Sequence, residues 1–130
     1  SKDFLGLLCA QVIGAVLGAV VANRMYSSHY LGISSTDRNG AGFLLGEFVA
    51  TIGLLYIVKF RGSEAGKLVP AWILTAFFAT SSTAFANPAV TFGRIFTESF
   101  SGISPQSAMA FIGMQLTSLI ILQLLHSRKA

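Results

Sequence analysis

Long apolar runs alternate with short polar breaks along this chain. Residues 4–22 are almost wholly apolar and stop at Asn23-Arg24. A Ser-rich connection follows and closes on Asp37-Arg38-Asn39-Gly40. Residues 41–58 form a second run that holds a single acid, Glu47. A charged loop at 59–67 leads into a third run at 68–80, which gives way to a Ser/Thr break and then Ala84-Phe85-Ala86. The last run, 107–125, is closed by His126-Ser127-Arg128-Lys129. A bilayer core takes roughly 20 apolar residues per helix, so these four runs predict four transmembrane helices. Gly14-x-x-x-Gly18 and Gly42-x-x-x-Gly46 carry small residues at a spacing that lets helices approach closely.

One segment does not fit a simple crossing. Asn87 is a good helix N-cap, and Pro88 suits the first helical position, where its missing N–H costs nothing. A helix is therefore predicted to begin at Asn87-Pro88-Ala89, between apolar sequence on both sides. It runs to about residue 100, roughly 18 Å, too short to span. The segment 87–100 is read as re-entrant. Irregular backbone at membrane depth is tolerated only where it is buried in protein or lines a wet cavity. That makes this stretch the candidate for a pore or binding site.

Composition sharpens the class. Of 130 residues, 53% are hydrophobic and 11% charged, and the mean hydropathy is +0.69. Ordinary soluble domains carry about 25% charged residues. The net charge of +4 does not point to nucleic acid. The basic residues sit at segment ends rather than along one face, and no binding motif accompanies them. Lys59, Arg61 and Lys67 in the second loop, with Lys2, Arg128 and Lys129 at the ends, outnumber Arg24, Arg38 and Arg94 on the opposite side. The positive-inside bias therefore places both termini in the cytoplasm of a multi-pass cell-membrane protein.

The run NPAVTFGR, preceded by the glutamate-bearing GEFVATIGLL and followed by a span with a central Gln, resembles the second half of the aquaporin, or major intrinsic protein, family. The resemblance implies an all-α membrane fold, aquaporin-like, with four transmembrane helices plus one re-entrant half-helix. In that family two inverted repeats each supply three spans and one Asn-Pro-Ala half-helix. This chain resembles the last span of the first repeat plus the whole second repeat. It is expected to be a fragment or truncated product, since one copy cannot build a complete pore. The implied function is a passive channel for water and small neutral solutes, such as glycerol-like polyols or arsenite-like metalloids, in a membrane-embedded homo-oligomer, a tetramer in the intact member.

Site residues follow from the same resemblance. Asn87, Pro88 and Ala89 form the pore motif. Selectivity-filter positions fall on Thr75, Ala84 and Val90. The family usually has Arg where Val90 stands, so the filter is expected to be wider and more apolar. Arg94 lies one turn further on and does not simply replace that charge. The carbonyls of Thr83, Ala84, Phe85 and Ala86, in extended backbone, are expected to line the pore, while the Asn87 amide donates to a passing solute. The positive end of the half-helix, worth about half a charge, would repel cations.

Glu47 is costly inside a span and is a functional candidate by default. Two roles are open to it. One is a proton relay in a coupled transporter; the other is a brace accepting N–H bonds from the segment at 80–86, with Gln115 assisting. Gln11 holds the matching place in the first span. A non-conducting membrane stub is a further alternative. Cys9 reads as a packing residue, and Trp72 as an interfacial ring. Phe77, Phe78, Phe92 and Phe96 read as packing or lipid contacts. His29 and His126 lack a second ligand at useful spacing, so no metal is expected, and no cofactor is implied. No paired carboxylates, Ser/His/Asp set or phosphate loop suggests an enzyme.

Overall fold

A computed structural model describes residues 2–27 and 31–128 of the chain. His29, Lys129 and the side chain of Lys2 lie outside that description, and with them the expectations placed on those groups. Helix α1 spans Lys2–Met25, α2 Ala41–Phe60, α3 Ala65–Ala79, α4 Pro88–Gly93 and α5 Pro105–Ser127. Single 3-10 turns at Gly62–Glu64 and Arg94–Phe96 lead into α3 and follow α4. The chain is all-α, with no strand among the described residues.

Three helices, Asp3–Met25, Ala41–Phe60 and Pro105–Ser127, are long and apolar enough to cross a membrane. The third expected span, 68–80, falls on α3, which has 15 residues, about 22 Å of helix. It starts three residues early because the 3-10 turn at Gly62–Glu64 feeds straight into it. It stops at Thr80, whose hydroxyl folds back onto the Ala76 carbonyl at 2.7 Å. The half-helix, by contrast, is shorter than its expected 87–100. It holds six α-helical residues and one 3-10 turn, then leaves helix geometry at Thr97, which is extended.

The contacts divide the chain into two compact units. The first takes in the residues up to Arg38 together with Asn87–Met109; the second is Asn39–Ala86 and the chain from Ala110 onward. In the first unit α4 packs directly on α1. Gly93 makes this possible, since a Cβ there would sit 2.7 Å from the Ala15 carbonyl carbon. Close backbone approach through small residues is how helices gain packing energy where lipid removes the hydrophobic drive. The end of α1 is then tied to the chain behind α4. Asn23 is buried; its amide nitrogen donates to Phe96 O at 3.0 Å, and its oxygen accepts from the Thr97 hydroxyl at 2.6 Å.

The described part of the connection after α1, 31–40, carries no helix yet is tied down from Ser34 to Arg38. Ser34 N donates to Ile95 O at 2.8 Å, and Ser104 N donates to Thr36 O at 2.8 Å. The Ser35 backbone and hydroxyl both donate to the Glu98 carboxylate. Arg38 is buried and donates from Nε to Gly102 O and from Nη2 to Phe100 O, while its backbone N–H meets the Ser107 hydroxyl. Buried guanidinium groups are tolerated when their donors are filled in this way.

The second unit packs α2 against α3 around a core of small residues: Ala50, Ala76, Ala84 and Ala86, with Leu54, Trp72 and Ile73 around them. Trp72 Nε1 donates to Ala50 O at 2.8 Å. Phe85 meets Phe111 of α5 edge-on at 5.2 Å. Cys9, expected to pack, is exposed on α1, because only 6% of the apolar window of that helix is buried within the chain.

The α1–α4 contact gives a direct test. Gly93→Val should force the two backbones apart and destabilise the fold by about 1–3 kcal/mol, read as a lower thermal midpoint in detergent. Gly14→Ala, which faces open space, should leave the midpoint unchanged; equal behaviour of the two variants would contradict the packing described.

Candidate functional site

Between α3 and α4 the chain makes a short irregular passage that the sequence reading took as extended. It is not extended. Thr83, Ala84 and Ala86 have φ of 60°, 48° and 50°, in the left-handed region that costs non-glycine residues roughly 1–2 kcal/mol each. The physical reason lies in what the passage bonds to. Ser82 and all four residues behind it are buried, so their amides need partners inside the protein. Ala84 N donates to the Ser82 hydroxyl at 3.1 Å. Phe85 N and Ala86 N donate to Glu47 Oε2 and Oε1 at 3.2 and 2.6 Å. An extended strand would point successive amides to opposite sides. The left-handed turns let two consecutive amides share one carboxylate.

Glu47 is fully buried on α2. Besides the two amides it accepts from Gln115 Nε2 of α5 at 2.7 Å. Three donors converge on one acidic group, and hydrogen bonds to a charged acceptor are worth about 1.5–3 kcal/mol each. These bonds offset part of the cost of the left-handed residues and of burying the carboxylate. The Thr83 hydroxyl is buried in the same passage and has no hydrogen-bond partner among the described residues.

In the first unit Asn87 caps α4 from extended backbone. Its Oδ1 accepts from Ala89 N at 2.8 Å and from Val90 N at 3.4 Å. This satisfies two of the amides that a helix start leaves unpaired, and it engages the side-chain oxygen rather than the nitrogen. Pro88 occupies the first helical position. Beyond it, Val90 and Arg94 line one cavity of about 730 Å³, together with Asn23, Tyr26 and Glu98. The remaining filter positions lie in the second unit: Ala84 is buried in the passage, and Thr75 is exposed on α3 with its hydroxyl turned onto Ala71 O at 2.8 Å.

Comparison with known proteins bears on this arrangement. The chain is 36% identical over 119 residues to aquaglyceroporin AqpS of Rhizobium meliloti (strain 1021), a match covering 88% of this chain and 51% of that protein. The chain belongs to the aquaporin, or major intrinsic protein, family. It is a multi-pass membrane protein of a channel family, and it spans about half the length of the curated relative it matches. No family model matches it, and no solved structure does.

Within this aquaporin chain the structure brings Glu47, Gln115, Phe85 and Ala86 into direct contact. Gln11, the counterpart expected on the first span, is exposed on α1. The sequence reading missed the polar network of the first unit. Asn23 looked like a stop signal, and Arg38 like a loop charge. Their one visible signal was position, since each stands where an apolar run meets a polar connection.

The carboxylate contacts predict an order of damage. Glu47→Gln places an amide N–H₂ against donors and should lower the thermal midpoint by the equivalent of about 1–3 kcal/mol. Gln115→Leu removes one donor only and should cost less. Thermal unfolding of the purified variants checks both, and a Glu47→Gln protein as stable as the parent would remove the carboxylate from this role.

Proposed function

We propose that the channel of which this chain spans about half passes small neutral solutes passively, glycerol-like polyols or neutral metalloids among them, through a path lined by Asn87, the carbonyls of residues 83–86 and the filter positions Thr75, Ala84 and Val90. The observation carrying this reading is the helix start at Asn87, capped by its own side chain in the midst of apolar sequence. The cap occupies the Asn87 oxygen and leaves its nitrogen to serve as the donor, and the passage behind it would supply carbonyl acceptors. Donors and acceptors in fixed places replace the hydration of a neutral solute but not that of an ion. The unpartnered Thr83 hydroxyl adds a donor of the same kind. Val90 is small and uncharged at a position that supports passage of solutes larger than water, and the name of the relative, an aquaglyceroporin, points the same way.

Several further features belong to this reading. The chain corresponds to the third span of the first repeat followed by the second repeat, in a cell membrane, with cytoplasmic termini and in a homo-oligomeric assembly. Glu47 acts as a brace rather than as a proton carrier. The donors recorded on it are three amides, which do not exchange protons with a passing file as water or histidine does.

The test is solute flux in vesicles carrying the intact channel. Val90→Arg is expected to reduce glycerol or arsenite entry by about tenfold or more while reducing water entry much less, since a long cation narrows the path. Osmotic swelling by stopped flow reads all three. An equal loss for every solute would exclude Val90 as a size gate, and a silent parent channel would exclude passive conduction altogether.

A further inference from the structure

At the end of the second unit where α2 runs out, an apolar groove of about 420 Å³ lies between α2, α3 and α5. The Trp72 indole forms one wall. It rests over Gly53, where a Cβ would overlap the ring, and it is anchored by its bond to Ala50 O. Tyr56, Ile57, Leu122 and Leu125 form the others. The groove is a slot wide enough for a chain of methylenes, and its tryptophan and tyrosine rings are of the kind that gather where a bilayer becomes polar.

Immediately beyond the groove stands a basic collar. Tyr56 packs on Phe60 at 4.9 Å, Phe60 meets His126 edge-on at 5.5 Å, and Lys59 Nζ lies 6.0 Å from the Phe60 ring centre. Lys67 and Arg128 belong to the same unit, at the start of α3 and the end of α5. Glu64, the one acidic side chain among the described residues at this end of the unit, is engaged by Arg61 in an ion pair. Lys59, Lys67 and Arg128 form no ion pair with a described residue.

We propose that this groove and collar form a binding site for an anionic phospholipid, with one acyl chain in the slot and the phosphate among Lys59, Lys67 and Arg128. Charge decides between occupants. A zwitterionic lipid brings a cation that finds no unengaged acidic side chain among the described residues here. A second copy of the chain docked face to face by two-fold symmetry would set this collar against itself. An anionic headgroup complements it, as basic pockets beside membrane helices do for acidic lipids.

The experiment is native mass spectrometry of the detergent-purified chain, titrated with phosphatidylglycerol or phosphatidylcholine of identical acyl chains. Phosphatidylglycerol is expected to bind at least tenfold more tightly. The combined Lys59→Gln, Lys67→Gln and Arg128→Gln variant should bind both lipids equally while keeping its lipid-free thermal midpoint. Leu125→Trp, which fills the slot from its exposed rim, should weaken phosphatidylglycerol binding with the collar intact. Equal binding of the two lipids by the parent, or undiminished binding by either variant, would overturn the proposal. So would efficient disulfide cross-linking of Tyr56→Cys chains in membranes, which would make the groove a contact between copies.

Discussion

A buried carboxylate holds the second unit of this protein in shape. Glu47 is buried on α2, and every donor recorded on it is an amide. Two belong to consecutive residues of a chain that has left the helix, and a third comes from α5. Without that acceptor, Phe85 N and Ala86 N would be buried and unpaired, at a cost of about 1–3 kcal/mol each. The left-handed backbone at Thr83, Ala84 and Ala86 follows from the same requirement, since it is the conformation that aims neighbouring amides at a single point. One acid in an apolar run therefore fixes the backbone of the passage that leads into α4.

The remaining architecture relies on small residues rather than large ones. Alanines make up the core of the second unit, and glycine sets the approach of α4 to α1 in the first. In a bilayer, bulky side chains gain little by leaving lipid for protein, so contact is made where backbones can come near. Many large apolar residues consequently point outward.

Much of this was written openly in the sequence. The helix start at Asn87 was legible because Asn and Pro carry local rules that hold in any solvent. Glu47 was legible because an acid in an apolar run demands an explanation. The backbone conformation at residues 83–86 was not, since three ordinary residues in left-handed geometry obey a distant acceptor and no local preference. The length of α3 was obscured because Lys67 looked like loop yet lies within the first turns of the helix. The partners of Asn23 and Arg38 were hidden for a related reason. Each bonds to backbone carbonyls more than 60 residues away, and a carbonyl leaves no mark on composition or periodicity.

The coil between α1 and α2 has its own meaning in motion. Lacking any helix, it would ordinarily fray, open to proteases and exchange its amide protons quickly. Here its backbone is laced to the stretch behind α4 from Ser34 through Arg38. The coil and that stretch must loosen as one cooperative piece or not at all. Slow deuterium uptake would then extend across apparently unstructured sequence, and the rim of the cavity holding Val90 and Arg94 would keep its outline while the rest of the surface exchanges.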